Sequence, residues 1–299
     1  MIRFVNAKIN LGLDIVRERE DGYHDLSTVF YPVGIHSGTP EDAGAFCDIM
    51  EVVGKAEGTS GGDEFILRGK RVDCPLEKNL FYRAATEFAS ETVRAGRAPL
   101  PSSVYILEKH LPDGAGLGGG SADAGMLLAM LNEMLAERDG EGFPADAMIG
   151  MAARLGADCP FFIINRCCYA SGIGERLEPM ALDLSGKWIV IAKPDLHIST
   201  KEAFAGVRPR QPEFDLRKLP ELPLEEWRHV VKNDFEESLF PNHPVLGRLK
   251  EMHYCAGALF SLMSGSGSSV YGIYEDRESG GKAAEMLRST VSDVWLLSL

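Results

Sequence analysis

The sequence predicts an α+β fold, and three features of the chain support this prediction. Residues 1–35 and 45–70 alternate as apolar, strand-like runs with turn residues between them. Residues 79–95 repeat apolar side chains at helical spacing, as an amphipathic helix does. Between a β-like run at 103–107 and a helix-like run at 121–135, the chain is dense in glycine. Strands and helices are therefore expected to alternate through the first half of the chain.

The second half of the chain continues this mixture. A proline-rich stretch at 208–223 separates a mostly strand-like part from a mostly helical part. The further predicted elements are, in order, a helix at 145–155, strands at 158–164, 167–170 and 187–194, helical segments around 225–240 and 244–255, and strands at 259–263 and 270–274. The last two strands flank a second glycine-rich loop at 264–269.

The glycine-rich stretch between strand and helix is the most informative feature of the sequence. Six glycines fall between Gly114 and Gly125, and five of them lie between Gly114 and Gly120. Glycine reaches positive φ and lets a ligand approach the backbone amides, since no Cβ stands in the way. A helix that begins near Ser121 adds unpaired N–H groups and roughly half a positive charge. This combination suits a phosphate group and indicates a nucleotide site.

Other glycine motifs fit this stretch less well. Gly114, Gly116 and Gly119 satisfy G-x-G-x-x-G, but no strand ending in an acidic residue follows the helix, as a dinucleotide fold requires. A P-loop would need a lysine after the glycines, whereas Gly120 is followed by Ser121 and alanine. A flexible linker is the remaining alternative, and linkers are seldom enclosed by a β-rich run and an apolar helix.

Composition agrees with a globular enzyme. The 299 residues are 45% apolar and 25% charged, which is ordinary for such proteins. The formal charge of −13 argues against nucleic-acid binding, which needs a basic face, so local donors must hold any anionic substrate. No apolar run is long enough to cross a membrane, and the start lacks a signal peptide's apolar region. The six cysteines form no C-x-x-C pair, so we expect reduced thiols and a cytoplasmic location. No histidine or cysteine spacing predicts protein ligands for a metal.

Four ordered motifs resemble those of the GHMP kinases, which act on galactose, homoserine, mevalonate and related small molecules. Residues 112–122 resemble the family's phosphate loop. The triple glycine before the serine looks most like the members that phosphorylate 4-diphosphocytidyl-2-C-methyl-D-erythritol. The supporting segments are 7–11 with 21–24, 156–161 with 171–175, and 263–268. The resemblance implies two α+β lobes with the active site in the cleft between them, an ATP-binding lobe at 1–165 and a C-terminal lobe at 166–299.

The resemblance assigns two catalytic residues, Lys8 and Asp158. Phosphoryl transfer needs mostly positioning and charge stabilisation. Asp158 would orient the substrate hydroxyl and accept its proton, and Lys8 would keep that carboxylate ionised and stabilise the attacking oxygen. From the local pattern alone, Lys8 also fits a solvated strand end, and Asp158 also fits a turn residue before Pro160.

The resemblance also implies an ATP site with Mg²⁺. Ala122 stands where the closer members carry a second serine. The missing hydroxyl removes about one hydrogen bond and leaves the ligands of the metal open. The residues assigned to ATP are Pro112, Asp113, Gly114, Ala115, Gly116, Leu117, Gly118, Gly119, Gly120, Ser121 and Ala122 in the loop, together with Asn79 and Lys109.

A substrate with a cytidine diphosphate group needs an aromatic platform for its base. Tyr23, His24 and Phe204 match family positions around the cytosine, and Asn10 and Thr200 match polar neighbours of the substrate. Without the resemblance, Tyr23 and Phe204 also fit core packing, with Thr200 near the start of a short helix.

The resulting expectation is a kinase of the non-mevalonate route to isoprenoid precursors, with no nucleic-acid or membrane partner and an open oligomeric state. Two alternatives stay open. A GHMP kinase for another small alcohol would be favoured if substrates bearing cytidine diphosphate fail to bind and Tyr23→Ala has no effect. A catalytically silent nucleotide-binding relative is disfavoured because Lys8 and Asp158 are both present. A dinucleotide-dependent dehydrogenase is a third hypothesis, which the motifs favour less than the other two.

Overall fold

The computed structural model describes residues 1–34, 46–56, 61–72 and 74–299. Strands and helices alternate along it, as the α+β prediction requires. Among the described residues the strands are β1 Ile2–Val5, β2 Ala7–Glu18, β3 His24–Val33, β4 Asp48–Gly54, β5 Glu64–Gly69, β6 Ser103–Lys109, β7 Cys168–Ser171, β8 Arg176–Pro179, β9 Trp188–Lys193, β10 Phe260–Met263, β11 Val270–Tyr274 and β12 Asp293–Ser298.

Helices connect these strands. The described α-helices are α1 Leu80–Arg94, α2 Gly119–Asp139, α3 Ala145–Leu155, α4 Cys159–Ile164, α5 Thr200–Ala205, α6 Trp227–Val230, α7 Asp234–Leu239, α8 Pro244–Cys255 and α9 Arg277–Arg288. No helix in this described part of the chain has the length and apolar character to span a membrane.

The chain divides into two compact units. The first comprises Met1–Ala7, Phe46–Asp113 and Gly119–Asn165, and the second comprises the described parts of Lys8–Ala45 with Gly114–Gly118 and Arg166–Leu299. These units are interleaved along the sequence, whereas the lobes expected from the resemblance, 1–165 and 166–299, are contiguous. The lobe boundaries stay a prediction.

The first unit contains one four-stranded sheet in the order β1-β4-β6-β5. Burial alternates along strand β6: Ser103, Tyr105, Leu107 and Lys109 are buried, while the residues between them are partly exposed. Helix α2 packs against β4 and β1, and against α1 and α4. Gly125 allows the close approach of α2 and α4, since a Cβ there would lie 2.6 Å from the Cβ of Phe162.

The second unit contains two four-stranded sheets, β10-β11-β9-β12 and β2-β3-β7-β8. Strand β9 lies inside the first of these and is buried over Ile189–Ala192, which explains its continuous apolar sequence. Helices α8 and α9 pack on this sheet. Residues of α7, α8, α9 and β9–β12 share one apolar core with the end of β2.

Most predicted elements are confirmed. The helix expected at 145–155 is α3 with the same bounds, and the strands expected at 187–194 and 270–274 are β9 and β11. The helix expected at 121–135 begins earlier, at Gly119, and continues to Asp139. Parts of the strand-like runs expected at 1–35 and 45–70 lie outside the described residues.

The strand expected at 158–164 is wrong, because this segment forms helix α4. A short apolar run is compatible with either element, and periodicity alone cannot separate them. Here Pro160 lies in the first turn, a position that suits proline, and Asn165 ends the helix in the left-handed conformation. Buried Phe161 and Phe162 then pack the helix inside the first unit.

The helical segment expected at 225–240 is divided into two short helices. Asn233 adopts an extended conformation between α6 and α7, and its side chain accepts a hydrogen bond from the Phe235 N–H at 3.0 Å. Asparagine at this position favours a new helix start over continuation of the preceding one.

Candidate active site

The glycine loop between β6 and α2 adopts a conformation that only glycine accommodates readily. Gly114, Gly116 and Gly118 all have positive φ, between 60° and 74°. The residues between them, Ala115 and Leu117, are buried. Anion-binding nests are built where left-handed residues alternate with right-handed ones, and the three glycines supply the left-handed positions of such a pattern. Helix α2 starts at Gly119, directly after the loop in the chain, and a helix start carries unpaired N–H groups and a partial positive charge.

A close approach of backbone to backbone requires one of these glycines. A Cβ on Gly116 would lie 1.9 Å from the Ser264 carbonyl oxygen. The Ser264 hydroxyl donates to the Gly116 carbonyl at 2.8 Å, and the Ser269 N–H donates to the Ala115 carbonyl at 3.2 Å. The second unit thus brings the two glycine-rich loops, Gly114–Gly118 and Ser264–Ser269, into direct contact.

Lys8 lies inside the second unit, not at a solvated strand end. Its side chain is buried in β2 with the residue only 3% exposed. The ammonium donates to the Asn10 side-chain oxygen at 2.7 Å and to the Gly116 carbonyl at 3.3 Å. It also lies 4.9 Å from the centre of the Phe30 ring. A buried cation fixed beside a phosphate loop is suited to stabilise developing negative charge.

Asn10 connects Lys8 to its surroundings. Its amide nitrogen donates to the Thr28 hydroxyl at 2.9 Å, and its backbone N–H donates to the Ser264 hydroxyl at 3.2 Å. The Tyr271 hydroxyl donates to the Asn10 carbonyl at 2.8 Å. The side chain that was predicted to contact substrate therefore also orients Lys8.

Asp158 occupies the N-cap position of α4 in the first unit, but its carboxylate makes no capping bond to that helix. The neighbouring Cys159 is buried, and burial raises the pKa of its thiol to about 11, with the Asp158 charge adding to the rise. The Ser121 hydroxyl opposes this rise by hydrogen bonding to the thiol. Cys159 is consequently a protonated packing group that connects α4 to the start of α2.

Lys109 is already paired with two acidic side chains. Its ammonium forms ion pairs with Asp48 and with Asp123, the latter at 2.7 Å, and all three residues are buried. Asn79, the other residue predicted on the adenine side, caps α1 by accepting from the Phe81 N–H at 2.9 Å. Leu80, the next residue, lies 3.8 Å from the position of a Cβ on Gly120. The start of α1 therefore adjoins the start of α2.

The residues predicted around the cytosine come together only in part. His24 and Phe204 stack with ring centres 4.7 Å apart, although 180 positions separate them in the sequence. Phe235 meets Phe204 edge-on at 4.9 Å. Tyr23 is 58% exposed, and Thr200 is an exposed residue at the start of α5. His24 and Phe204 form an aromatic surface, with Tyr23 next to it along the chain.

Sequence reasoning missed several residues that shape these loops. Asp48 and Asp123 hold Lys109, Asn233 holds the second glycine loop, and the His197 ring lies 2.9 Å from the position of a Cβ on Gly114. Asp123 stands inside the glycine-rich motif and could have been considered as a partner of Lys109. Nothing in the local sequence around Asp48, Asn233 or His197 indicates these contacts.

Comparison with known proteins places this arrangement in a family. A model of the GHMP kinases N terminal domain matches residues 79–166, and a model of the GHMP kinases C terminal region matches residues 213–293. Together they cover more than half of the chain, including the glycine loop, Asp158 and the second glycine loop. The chain belongs to the GHMP kinase family.

Relatives of this GHMP kinase extend over most of its length. A protein of Parabacteroides distasonis named 4-diphosphocytidyl-2-C-methyl-D-erythritol kinase is 42% identical over 275 residues, 92% of each chain. A protein of the same name from Bacteroides thetaiotaomicron is 41% identical over 284 residues, again 92% of each chain.

Solved structures agree with the family assignment. A crystal structure of 4-(cytidine 5'-diphospho)-2C-methyl-D-erythritol kinase is 31% identical, with a TM-score of 0.75, and the match covers 99% of this chain and 98% of the other. The homoserine kinase of Cytophaga hutchinsonii has a TM-score of 0.71 at 14% identity and shares the fold. The predicted α+β GHMP kinase fold is confirmed.

A GHMP kinase implies ATP as phosphoryl donor, and the loop conformation fits its phosphates. The described residues contain no group of three or more His, Cys, Asp or Glu side chains placed to hold a metal ion. Ser121 lies in the first turn of α2, where its hydroxyl hydrogen bonds to the Cys159 thiol.

Proposed function

We propose that this chain transfers the γ-phosphoryl group of ATP to the 2-hydroxyl of 4-diphosphocytidyl-2-C-methyl-D-erythritol, in the cytoplasm, as a step toward isoprenoid precursors. The observation that carries the proposal is the buried Lys8 ammonium, which is fixed by Asn10 and lies against the Gly116 carbonyl of the glycine loop. The full-length relatives that bear this substrate's name support the choice of acceptor.

The loop amides and the positive end of α2 bind the ATP phosphates and exclude solvent from them. The ATP phosphates and the Ser121 hydroxyl would hold Mg²⁺, which would supply positive charge against the phosphate oxygens. In this proposal Asp158 orients the acceptor hydroxyl and takes its proton, while Lys8 stabilises charge on the attacking oxygen.

The acceptor is bound through its cytidine end and its diphosphate. The stacked rings of His24 and Phe204, with the exposed Tyr23, offer an aromatic surface for the base. Thr200, at the start of α5, supplies a hydroxyl and a helix N–H beside Phe204. The mixture of aromatic surface and polar groups suits a pyrimidine nucleotide better than a small sugar or amino acid alone.

The test is ADP release by the purified chain with MgATP and 4-diphosphocytidyl-2-C-methyl-D-erythritol, beside Asp158→Asn. We expect acceptor-dependent turnover in the wild type and a loss of about 10²–10⁴-fold in the variant, because general-base help is worth that much. Asp146→Asn, which changes an exposed carboxylate in the first turn of α3, is the matched control and should keep full activity.

Two outcomes would contradict different parts of the proposal. Absence of ADP release by a folded wild-type protein would remove the acceptor assignment, and trials with mevalonate, homoserine and sugar alcohols would then identify another GHMP activity or none. Turnover that survives in Asp158→Asn would keep the reaction and remove Asp158 from its proposed role.

A further inference from the structure

A buried cluster of one cation and two carboxylates lies beneath the ends of the glycine loop. Its members are Asp48, Lys109 and Asp123, each no more than 3% exposed. Lys109 pairs with one oxygen of Asp48 and, at 2.7 Å, with one oxygen of Asp123. The other Asp48 oxygen accepts from the backbone N–H groups of His110 at 2.6 Å and Leu111 at 2.8 Å.

These contacts join three elements of the first unit. Asp48 begins β4, Lys109 ends β6, and Asp123 lies in the second turn of α2. The backbone bonds to Asp48 hold the chain where it leaves β6, and the bond from Lys109 to Asp123 holds the beginning of α2. The segment between these two points is the glycine loop, so the cluster ties both of its ends to one sheet.

The position of the Lys109 ammonium agrees with this role. It lies 3.5 Å from the position that a Cβ on Gly119 would occupy, directly under the first residue of α2. A fully buried lysine that is shared by two carboxylates is not placed as a mobile counter-charge for phosphate oxygens. Its charge is already compensated inside the protein.

Within the described part of the chain, the second oxygen of Asp123 has no hydrogen-bond partner. Burial raises the pKa of Asp123 well above its ordinary value, and the nearby Asp48 charge adds to the rise, although Lys109 opposes it. An uncharged Asp123 would leave the cluster with one positive and one negative charge. The contacts and the charges therefore both indicate that the cluster holds the loop ends from inside the protein and that its own charges cancel.

We propose, resting on the proposed kinase function, that Asp48, Lys109 and Asp123 are positioning residues that set the spacing of the two ends of the phosphate loop, and that Lys109 acts on ATP only through its two carboxylate partners. This revises the direct ATP contact that the resemblance implied for Lys109. It also adds Asp48, 61 positions away in the sequence, to the residues that govern ATP affinity.

The decisive variant is Asp48→Asn, with ATP affinity measured by calorimetry and KM measured for each substrate. The amide must place its NH₂ group against either the Lys109 ammonium or the backbone N–H groups, so the loop end loses its anchor. We expect ATP to bind about tenfold more weakly or worse, with the KM of the acceptor unchanged. Glu137→Gln, which removes an exposed carboxylate from the same helix α2, is the control and should bind ATP like wild type.

A direct contact between Lys109 and ATP predicts the opposite result. Asp48→Asn would then release the ammonium toward the phosphates, and ATP affinity would stay the same or increase. Either result overturns the inference. An equal rise in both KM values would also overturn it, because that pattern describes general loosening of the fold.

A second pair of variants keeps the test usable if Asp48→Asn does not fold. Asp123→Asn retains an oxygen that accepts from Lys109, and we expect it to keep ATP affinity within about threefold. Asp123→Leu has a similar size and no acceptor, and we expect a loss like that of Asp48→Asn. Equal affinity in the Asn and Leu variants would overturn the proposed bond's role.

The two proposals fail in distinguishable ways. ATP binding by the wild type without turnover of the acceptor would remove the acceptor assignment and leave this inference intact. Equal ATP affinity in wild type and Asp48→Asn, with normal turnover, would remove this inference and leave the proposed function.

Discussion

The loops at 114–118 and 264–269 are both rich in glycine, but a buried ion cluster ties the ends of the first, whereas neutral side chains hold the second. One charged contact precedes the second loop, where the Glu236 carboxylate accepts from the Met263 N–H at 2.8 Å. The ends of the first are tied by Lys109 between Asp48 and Asp123. In the second, the Asn233 amide donates to the carbonyls of Met263 and Gly265, both at 2.8 Å, and the Ser268 hydroxyl donates to the Leu196 carbonyl at 2.7 Å.

The difference has an energetic consequence. A buried ion cluster adds little net stability when complete, since desolvation opposes the attraction, but loss of one member leaves a charge uncompensated. A neutral amide that satisfies two carbonyls costs less to remove, because each lost bond exposes only a dipole. Removal of one anchoring side chain should therefore lower the free energy of unfolding more at the first loop than at the second.

The largest effect is expected from Lys109→Met. It leaves buried Asp48 without its cation, and we expect the free energy of unfolding to fall by about 3–5 kcal/mol. Urea denaturation measures this, with Lys282→Met as control, since Lys282 is an exposed residue in a helical ion pair with Glu278. A loss below about 1 kcal/mol would show that the backbone donors to Asp48 compensate its charge alone, and the contrast between the loops would disappear.

A smaller effect is expected from Asn233→Ala. The change removes two bonds to the second loop and the N-cap of α7, which together are worth about 2–3 kcal/mol. Asn242→Ala, at an exposed asparagine between α7 and α8, should change the free energy of unfolding by no more than about 0.5 kcal/mol. A cost for Asn233→Ala equal to that of Lys109→Met would contradict the distinction between charged and neutral anchors.

An effect that depends on pH is expected at Asp14, a buried carboxyl near Asn233. Burial raises its pKa from 3.8 to about 7, and the Asp234 charge adds to the rise, while Lys232 and Arg210 oppose it and Glu213 supports it. The folded state thus holds a proton that the unfolded chain releases near pH 4. Stability from this group is complete below about pH 4 and is lost as the pH rises through 7.

Asp14→Asn removes this dependence of stability on pH. It therefore tests whether a charge near Asn233 affects the stability of the second loop. We expect the variant to equal wild type in stability at pH 4 and to be more stable at pH 8, by at most about 4 kcal/mol. Thermal unfolding across this range measures the difference, with Asp195→Asn, at an exposed carboxylate, as control. A stability difference that is independent of pH would refute the assignment.

The glycine-rich loop and the helix after it were predictable, because both depend on consecutive residues, and the structure has them in the expected elements. Lys8 and Asn10 were assigned only through the family resemblance, and their functional roles stay predictions. The strand expected at 158–164 failed because six apolar residues carry no periodicity, and packing of Phe161 and Phe162 chose the helix. The pairing of His24 with Phe204 came only from the family resemblance, since nothing local to either residue indicates the other.

By itself, the sequence determined the α+β alternation and the positions of both glycine loops, because these depend on spacing along the chain. The family followed from the resemblance of four ordered motifs. Only the tertiary structure decided which charges those loops receive. Lys109 resembles a phosphate ligand in sequence, yet Asp48 and Asp123 meet it in the folded protein and compensate it. Lys8 resembles a solvated strand end, yet folding buries it beside Asn10 and Gly116. The reason is physical: burial and pairing set the role of a charge, and both arise from residues that are distant along the chain.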